Sequence, residues 1–287
     1  MPSIRDLRRR IRSVQNTGKV TNAMSLIAAS KMRRAQNATL QGRPYALKIQ
    51  EVIADLAAQP REEDGAIHPL LQVREVKRIG VLLITPDRGL CGGLASNLNR
   101  RVAQFILEQT VPVRLIVVGR KGRDFMIRYG QDVSAVFTDV GDRPALSDTT
   151  AISTLITDAY TKGELDEVHL AYTKFISTMS QEPALERLVP VAPAALTGAQ
   201  RVGYIYEPDT LAVLGNLLPR FLEMEVYHAL LEAIASEQSA RMVAMRNATD
   251  NAKSLVGDLT LDMNKLRQDT ITRELLDLIG GQAALEV

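Results

Sequence analysis

The chain has 287 residues with a formal net charge of +2, 46% apolar residues, one cysteine and no tryptophan. A single cysteine excludes an internal disulfide and fits a reducing compartment, and an aromatic content of 4% disfavours a stacking surface for single-stranded nucleic acid. The sequence contains no run of eighteen apolar residues, so no membrane span is predicted. The charged start of the chain is not typical of a signal or transit peptide. Charge is divided between the ends, because residues 1–48 hold eleven basic residues and one acidic, whereas residues 209–287 hold seven basic and twelve acidic.

The first predicted element is a long N-terminal helix. Ser3 and Asp6 have the spacing of a capping box, which satisfies open amide donors at a helix start. Pro44 is expected to kink or interrupt the helix, and Pro60 with the acidic segment after it to end it. Steps of three and four residues predict one seam of large and then small side chains, which would let a partner helix approach closely: Ile4, Leu7, Ile11, Val14, Gly18, Thr21, Ser25, Ala28, Met32, Ala35 and Thr39.

The middle of the chain alternates short apolar runs with helical segments. Strands are predicted at 78–85, 113–118, 133–137 and 168–175, and helices at 92–108, 121–129 and 149–160. Such alternation indicates a mainly parallel sheet with crossover helices. The segment 185–206 contains two prolines and predicts an edge strand with connecting loops.

A second long helix begins near Asp209, where the sequence Glu207-Pro208-Asp209 resembles a helix start. Pro219 is expected to bend it early. Its near-heptad seam slips once around Asp262 and comprises Met245, Ala248, Ala252, Leu255, Leu259, Met263 and Leu266. Two terminal helices this long, with opposite charge, are best explained as partners in a two-stranded rod, in which the apolar seam supplies most of the stability because exposed ion pairs contribute only ~0–1 kcal/mol each.

The only glycine-rich turn, Asp87–Gly93, follows the first strand, where α/β proteins often bind phosphate. Its glycines fit neither the dinucleotide fingerprint nor the phosphate loop, so a tight turn is the favoured interpretation. Cys91 in this turn is expected to be a buried small residue rather than a reactive thiol. The three histidines lack metal-ligand spacing, and we expect no catalytic residue, cofactor or metal.

Four separated motifs resemble the γ subunit of F-type ATP synthases. Residues 11–24 (IRSVQNTGKVTNAM) and 28–36 (AASKMRRAQ) are similar to the N-terminal helix of that family, and residues 271–277 (ITRELLD) with Gly280-Gly281 to its C-terminal signature. Residues 87–93 and 240–245 also look like family segments, and Gln282 departs from the alanine usual there. The plastid insertion and a mitochondrial presequence are absent, which favours a bacterial origin.

This resemblance implies a rotor shaft, in which the N- and C-terminal helices form a long antiparallel coiled coil, together with a central Rossmann-like α/β domain. The expected domains are the N-terminal coiled-coil helix (1–60), the central α/β domain (61–207) and the C-terminal coiled-coil helix (208–287). The implied partners are three α and three β subunits, the ε subunit and the membrane ring of c subunits. The subunit would be peripheral, on the cytoplasmic face of a bacterial membrane, and would couple ion flow to ATP synthesis or hydrolysis without an active site of its own.

The resemblance also implies which side chains meet partners. Met24, Lys31, Arg33 and Arg34 are expected to contact the acidic lever loops of β, with ordinary helix packing as the alternative for Met24 and solvation for the arginines. The resemblance further implies that five residues face the upper catch region of α and β: Arg241, Arg267, Gln268, Thr272 and Glu274. Ordinary packing between the two helices is the alternative for Thr272.

Two other classes stay open from the sequence. A coiled-coil nucleic-acid-binding protein would use the basic first helix as a phosphate contact, although the acidic last helix would repel a phosphate backbone. A nucleotide-dependent enzyme built on the α/β domain would hydrolyse ATP as an isolated chain.

Overall fold

The structure, a computed structural model, describes residues 3–58, 68–191 and 210–285. Within these residues, two long helices, α1 (Ile4–Ala58) and α5 (Thr210–Leu285), flank an α/β region. Its elements, in order after a short 3₁₀ turn at Pro69–Leu71, are β1 (Ile79–Ile84), α2 (Leu94–Glu108), β2 (Val113–Val118), α3 (Arg120–Arg128), β3 (Asp132–Phe137), α4 (Ser147–Thr161), β4 (Glu167–Phe175) and β5 (Gln181–Val189). The predicted mixed α/β class with long terminal helices is confirmed.

The five strands form one sheet in the order β3-β2-β1-β4-β5. Strands β1 to β4 are parallel, and β5 pairs antiparallel with β4 at one edge. The central strand β1 is buried on both faces, as expected for an uninterrupted apolar run in a parallel sheet. Its side chains alternate: Val81 and Leu83 pack with α2 and α3, while Leu82 and Ile84 pack in the cluster that contains α4, α1 and α5.

The strand order explains which face each helix covers. Strands β2 and β3 are added on one side of β1, and their crossover helices α2 and α3 share one face. The chain then returns to the other side of β1 to form β4, and the connecting helix α4 covers the opposite face. Because β1 to β4 are parallel, the loops that follow them meet at one edge of the sheet, which we call the carboxyl edge.

One glycine at this edge is required by geometry. Gly119 ends β2 with φ +95°, a backbone conformation that side chains rarely adopt. A Cβ there would lie 1.9 Å from the carbonyl oxygen of Thr85. Glycine therefore lets the ends of β1 and β2 approach closely.

The chain divides into two compact units, and both long helices contribute to each of them. The helix-pair unit comprises Met1–Ile27 with Met242–Val287, and the sheet unit comprises Ala28–Arg241. In the sheet unit, α1 and α5 bury Ile49, Ile53, Leu218 and Leu222, among others, in the same cluster as α4 and one face of the sheet.

In the helix-pair unit, α1 and α5 are antiparallel. The hydroxyls of Thr21 and Thr249 are 2.7 Å apart and buried, and a methyl group at Gly18 would lie 3.4 Å from Cβ of Ala252. A step of three residues forward along α1 thus matches three residues backward along α5, which is an antiparallel register. The small residues of the predicted seam bring the two backbones together, as a tight pair requires.

The structure confirms most of the predicted seam and corrects one position. Leu7, Thr21, Met245, Ala252 and Leu259 are buried. Leu255 was predicted in the seam but is 40% exposed; Thr249 and Val256 continue the spacing instead, because the seam keeps one register from Met245 onwards.

Proline interrupts neither helix. Helix α1 runs through Pro44 and α5 through Pro219, so a break at Pro44 was wrong. Proline removes the bond to the carbonyl four residues earlier, which belongs to Leu40, and Leu40 is an exposed residue. The start of α1 is as expected: the amide of Asp6 donates to Ser3 Oγ at 3.2 Å. The hydroxyl of Ser3 donates to the Asp6 carboxylate at 2.7 Å, and this contact holds the pKa of the Asp6 carboxyl below its usual range.

Candidate functional site

The predicted contact residues of α1 differ in how they are held. Met24 is half-buried in the helix-pair unit. In the sheet unit, Lys31 forms an ion pair with Asp142 in the loop after β3. Arg33 and Arg34 are exposed, and neither forms an ion pair with any residue that the structure describes. Those two guanidinium groups are thus available to an acidic partner.

Helix α5 extends past the start of α1 in the helix-pair unit. On the register given by Thr21 with Thr249, Ile4 at the start of α1 lies opposite Leu266. The remaining residues to Leu285 cover roughly 30 Å at 1.5 Å per residue. We call this segment, 267–285, the α5 extension. All four predicted contact residues near the C-terminus, Arg267, Gln268, Thr272 and Glu274, lie on it and are exposed.

The α5 extension also exposes large apolar side chains: Ile271, Leu275, Leu276, Leu278 and Ile279, which are 48–71% exposed. An exposed group of leucines and isoleucines in one segment is typical of a protein-binding surface. The polar residues of this segment were predicted from the sequence as partner contacts, whereas these apolar residues were not. The signal was present, because they continue beyond Leu266, the last residue of the predicted seam.

No ion pair among the described residues of the helix-pair unit joins α1 to α5. In the described part of the helix-pair unit, the ion pairs Arg9–Asp6 and Lys253–Asp250 each lie within one helix. The contacts between α1 and α5 there come from hydroxyls, small residues and apolar side chains. Neither these helices nor any other helix among the described residues is both long and apolar enough to cross a membrane.

Arg241 is built into the sheet unit. Its side chain is 11% exposed, and one guanidinium nitrogen donates to Glu237 at 2.6 Å and to the carbonyl oxygen of Gly89 at 3.2 Å. Glu237 is four residues earlier on α5, and Gly89 lies in the glycine-rich turn after β1. The predicted contact of Arg241 with a partner subunit stays a prediction.

The turn Asp87–Gly93 is a tight connection. Leu90 and Gly92 both have positive φ, and Cys91 between them is buried, with burial raising the pKa of its thiol. Asp87 accepts hydrogen bonds from the amides of Arg120 and Asp139 at 3.0 Å each. Its carboxylate therefore ties together the loops after β1, β2 and β3.

A second group of carboxylates lies where α5 faces β4 and β5. Burial raises the pKa of Glu225 and of Glu232, and the nearby carboxylate of Glu186 adds to both effects. Lys174 and the amide of Phe175 oppose the shift at Glu232 without reversing it. These side chains are costly to ionise in the folded chain, since desolvation disfavours a charge.

Comparison with known proteins gives full-length matches. A family model described as ATP synthase matches residues 3–285. The ATP synthase gamma chain of Dehalococcoides mccartyi is 59% identical over 285 residues, which are 99% of this chain and 100% of that protein. The ATP synthase gamma chain of Herpetosiphon aurantiacus is 49% identical, with 99% of each chain covered.

Solved structures agree with these matches. A central-stalk and c-ring structure of the Tetrahymena thermophila mitochondrial ATP synthase contains a chain that is 25% identical, with a TM-score of 0.62; the match covers 80% of this chain and 99% of that chain. A chain from the Euglena gracilis mitochondrial ATP synthase, with a TM-score of 0.68, 18% identity and coverage of 98% and 94%, shares the fold. Paired terminal helices around an α/β sheet are thus the architecture of a rotary-ATPase stalk subunit. The chain belongs to the family of ATP synthase gamma chains. Nothing in these matches supports the nucleic-acid-binding alternative.

Proposed function

We propose that this chain transmits torque between a membrane c-ring and a catalytic α/β hexamer. It is the rotor subunit of an ATP synthase central stalk, and it couples ion translocation to ATP synthesis or hydrolysis. The bond-making steps take place on its partners, and the chain contributes mechanical coupling.

The observation that carries this proposal is the α5 extension. A helix that continues roughly 30 Å beyond its partner, with five large apolar side chains exposed near its end, is costly to leave in water. Burial in the centre of a ring of subunits would remove that cost. The full-length relationship to gamma chains supports the same surroundings.

Torque transmission needs a shaft whose sides differ. The α1 part of the helix-pair unit carries mainly basic side chains and the α5 part more acidic ones, so three identical neighbours would meet different faces. Each face then acts as a ligand that favours one conformation of its neighbour. Moving one neighbour from 1:99 to 99:1 requires a differential contact energy of about 5.5 kcal/mol.

The proposed partners are three α subunits, three β subunits, one ε subunit and the c-ring. The chain would be a peripheral subunit on the cytoplasmic face of a bacterial membrane. Its proposed functional division is 1–60 and 208–287 for the coiled coil and 61–207 for the α/β domain. Met24, Lys31, Arg33 and Arg34 would meet the acidic lever loops of β, and Arg241 and the polar residues of the α5 extension the upper catch region of α and β.

Purification of the tagged chain from its membranes tests the assembly. Stoichiometric α, β and ε with the chain is the expected result, and the isolated chain should hydrolyse no ATP. Recovery of the chain without α and β, or ATP hydrolysis by the chain alone, would refute the rotor assignment.

A double substitution tests the contacts. Arg267→Ala with Gln268→Ala removes two exposed polar side chains of the α5 extension, so ATP synthesis driven by an ion gradient should fall while the complex still assembles. The matched control is Arg100→Ala, which removes an exposed arginine of α2. A synthesis rate equal to that of the control, at equal assembly, contradicts the proposed contact.

A further inference from the structure

Six consecutive residues of α5, Ser236–Arg241, dock onto the carboxyl edge of the sheet. We call them the docking segment. Four of its polar side chains, Ser236, Gln238, Ser239 and Arg241, are buried. Buried polar side chains on a helix are rare without partners, and each of these has one in a loop or strand end of the sheet.

The two serines hold the end of β4. The hydroxyl of Ser236 donates to the carbonyl oxygen of Thr173 at 2.9 Å. The hydroxyl of Ser239 donates to the carbonyl oxygen of Thr178 at 2.8 Å. Thr173 lies in β4, and Thr178 lies in the turn to β5. These contacts tie α5 to the strand beside β1.

Gln238 and Lys31 meet at the loop after β3. The amide nitrogen of Gln238 donates to Asp142 at 3.1 Å, and the other oxygen of the same carboxylate pairs with Lys31 of α1. One loop carboxylate therefore joins both long helices to the sheet.

Arg241 and Glu237 hold the turn after β1. The Arg241 guanidinium binds the carbonyls of Arg88 at 3.5 Å and Gly89 at 3.2 Å, and Glu237 fixes it from the preceding turn of α5. The next residue of the turn, Leu90, is 60% exposed with φ +65°. A leucine persists in that conformation only where its surroundings impose it, and the guanidinium contacts lie directly beside it.

The position of this contact is informative. The strand order of the sheet reverses at β1, since β2 lies on one side of β1 and β4 on the other. In open α/β sheets, the crevice beyond the strand ends at that point is where ligands usually bind. Here, the docking segment binds the loops after β1 and β4, so a segment of the chain itself makes the contacts that a ligand would otherwise make.

We propose that the docking segment is the joint through which α5 and the sheet turn together, with Arg241 as its positioning residue. This inference rests on the proposed torque transmission. Charged, buried hydrogen bonds are stronger and more directional than apolar contacts, which can slide. The joint thus holds the loops after β1, β3 and β4 against rotation of the helix.

The test compares Arg241→Ala and Arg241→Lys in the assembled synthase. Lysine keeps the charge but presents one compact ammonium group in place of the planar fork. In membrane vesicles, ATP hydrolysis and ATP-driven ion pumping are measured together, with a pH-sensitive dye for protons and radioactive sodium for Na⁺. Arg241→Ala should lower the ions pumped per ATP hydrolysed by about twofold or more, and Arg241→Lys should lie between it and the unmodified chain.

Hydrogen exchange in the same variants gives a readout independent of activity. The amides of 87–93 should exchange about tenfold faster or more in Arg241→Ala, because the turn loses its contacts to α5. Should Arg241→Ala fail to assemble, Ser236→Ala with Ser239→Ala removes two hydroxyls and no charge. Pumping is then measured in the same way, and exchange is followed at 173–178, where the two hydroxyls bind. Arg100→Ala is the matched control.

The outcomes separate the joint from the rotor assignment. An unmodified chain that does not form a coupled complex refutes the proposed function. The joint alone is refuted if the unmodified chain couples normally and two variants pump as many ions per ATP as it does. The first of these variants is Arg241→Lys, and the second is either Arg241→Ala or the double serine variant. Unchanged exchange at 87–93 in Arg241→Ala, or at 173–178 in the double serine variant, also overturns it.

Discussion

The buried hydroxyl pair between α1 and α5 gives a prediction that can be worked through in energies. Thr249→Val removes one hydroxyl and keeps the branched shape of the side chain. In the unmodified chain, Thr249 donates to the carbonyl of Met245 at 2.8 Å and lies 2.7 Å from the hydroxyl of Thr21. The substitution leaves Thr21 with the carbonyl of Gly18 at 3.1 Å.

Because Thr21 keeps one partner, the cost should be at the low end for a buried hydrogen bond, about 0.5–1 kcal/mol. Thr21→Val should cost a similar amount, since Thr249 keeps Met245. The double variant places two apolar groups against each other, so it should lie within about 0.5 kcal/mol of the unmodified chain. The two substitutions would then couple by about 1 kcal/mol, as expected for side chains in contact.

Amide hydrogen exchange of the isolated chain measures this locally, in peptides covering 11–27 and 242–256. Thr260→Val is the matched control, because Thr260 donates to the carbonyl of Val256 at 2.7 Å on the same helix. Its cost reports the loss of a bond within one helix. If the two single costs simply add in the double variant, the hydroxyls do not recognise each other and the antiparallel register lacks this contact.

Three further predictions concern other parts of the chain. Gly119→Ala should destabilise the sheet unit by about 3 kcal/mol or more in thermal unfolding, because its Cβ would collide with Thr85. Gly141→Ala, at a position with positive φ but open space, should cost about 1 kcal/mol. Equal losses of stability in the two variants would contradict this. Leu276→Glu should leave unfolding of the isolated chain unchanged and reduce its incorporation into the α/β complex, measured by co-purification, since Leu276 is 62% exposed; normal incorporation would count against burial of the α5 extension. Glu232 has a raised pKa in the folded chain, so it binds more protons folded than unfolded, and stability should fall as the pH rises above about 4.3, the ordinary carboxyl value; Glu232→Gln should make the dependence of unfolding on pH shallower, and an unaltered slope would contradict the burial effect.

Local patterns were sufficient for β1 to β4 and the helices between them, whereas the edge strand predicted within 185–206 lies at Gln181–Val189. The strand predicted at 113–118 has those bounds in the structure, and the helix predicted at 149–160 spans Ser147–Thr161. A strand buried on both faces and an amphipathic helix each leave a regular apolar spacing in the sequence. The capping box at Ser3 and Asp6 is local in the same sense, and it is present.

Contacts between distant segments escaped this reasoning. Periodicity alone placed Leu255 in the seam, although the register set by Thr21 and Thr249 excludes it. Arg241 was expected, from the family resemblance, to face the α and β subunits, and its contacts within the sheet unit were not predicted. Its burial depends on Glu237 and on two carbonyls about 150 residues away.

The sequence by itself determined the succession of strands and helices along the chain, the two long terminal helices, their small-residue seam and the family. Each of these is recognised from residue spacing or from contiguous motifs. Only the tertiary structure decided the register of the helix pair, the length of the α5 extension and the attachment of α5 to the carboxyl edge of the sheet. Those features depend on contacts between backbone carbonyls and side chains that are far apart in the sequence. Local sequence patterns do not show which of these groups come into contact after folding.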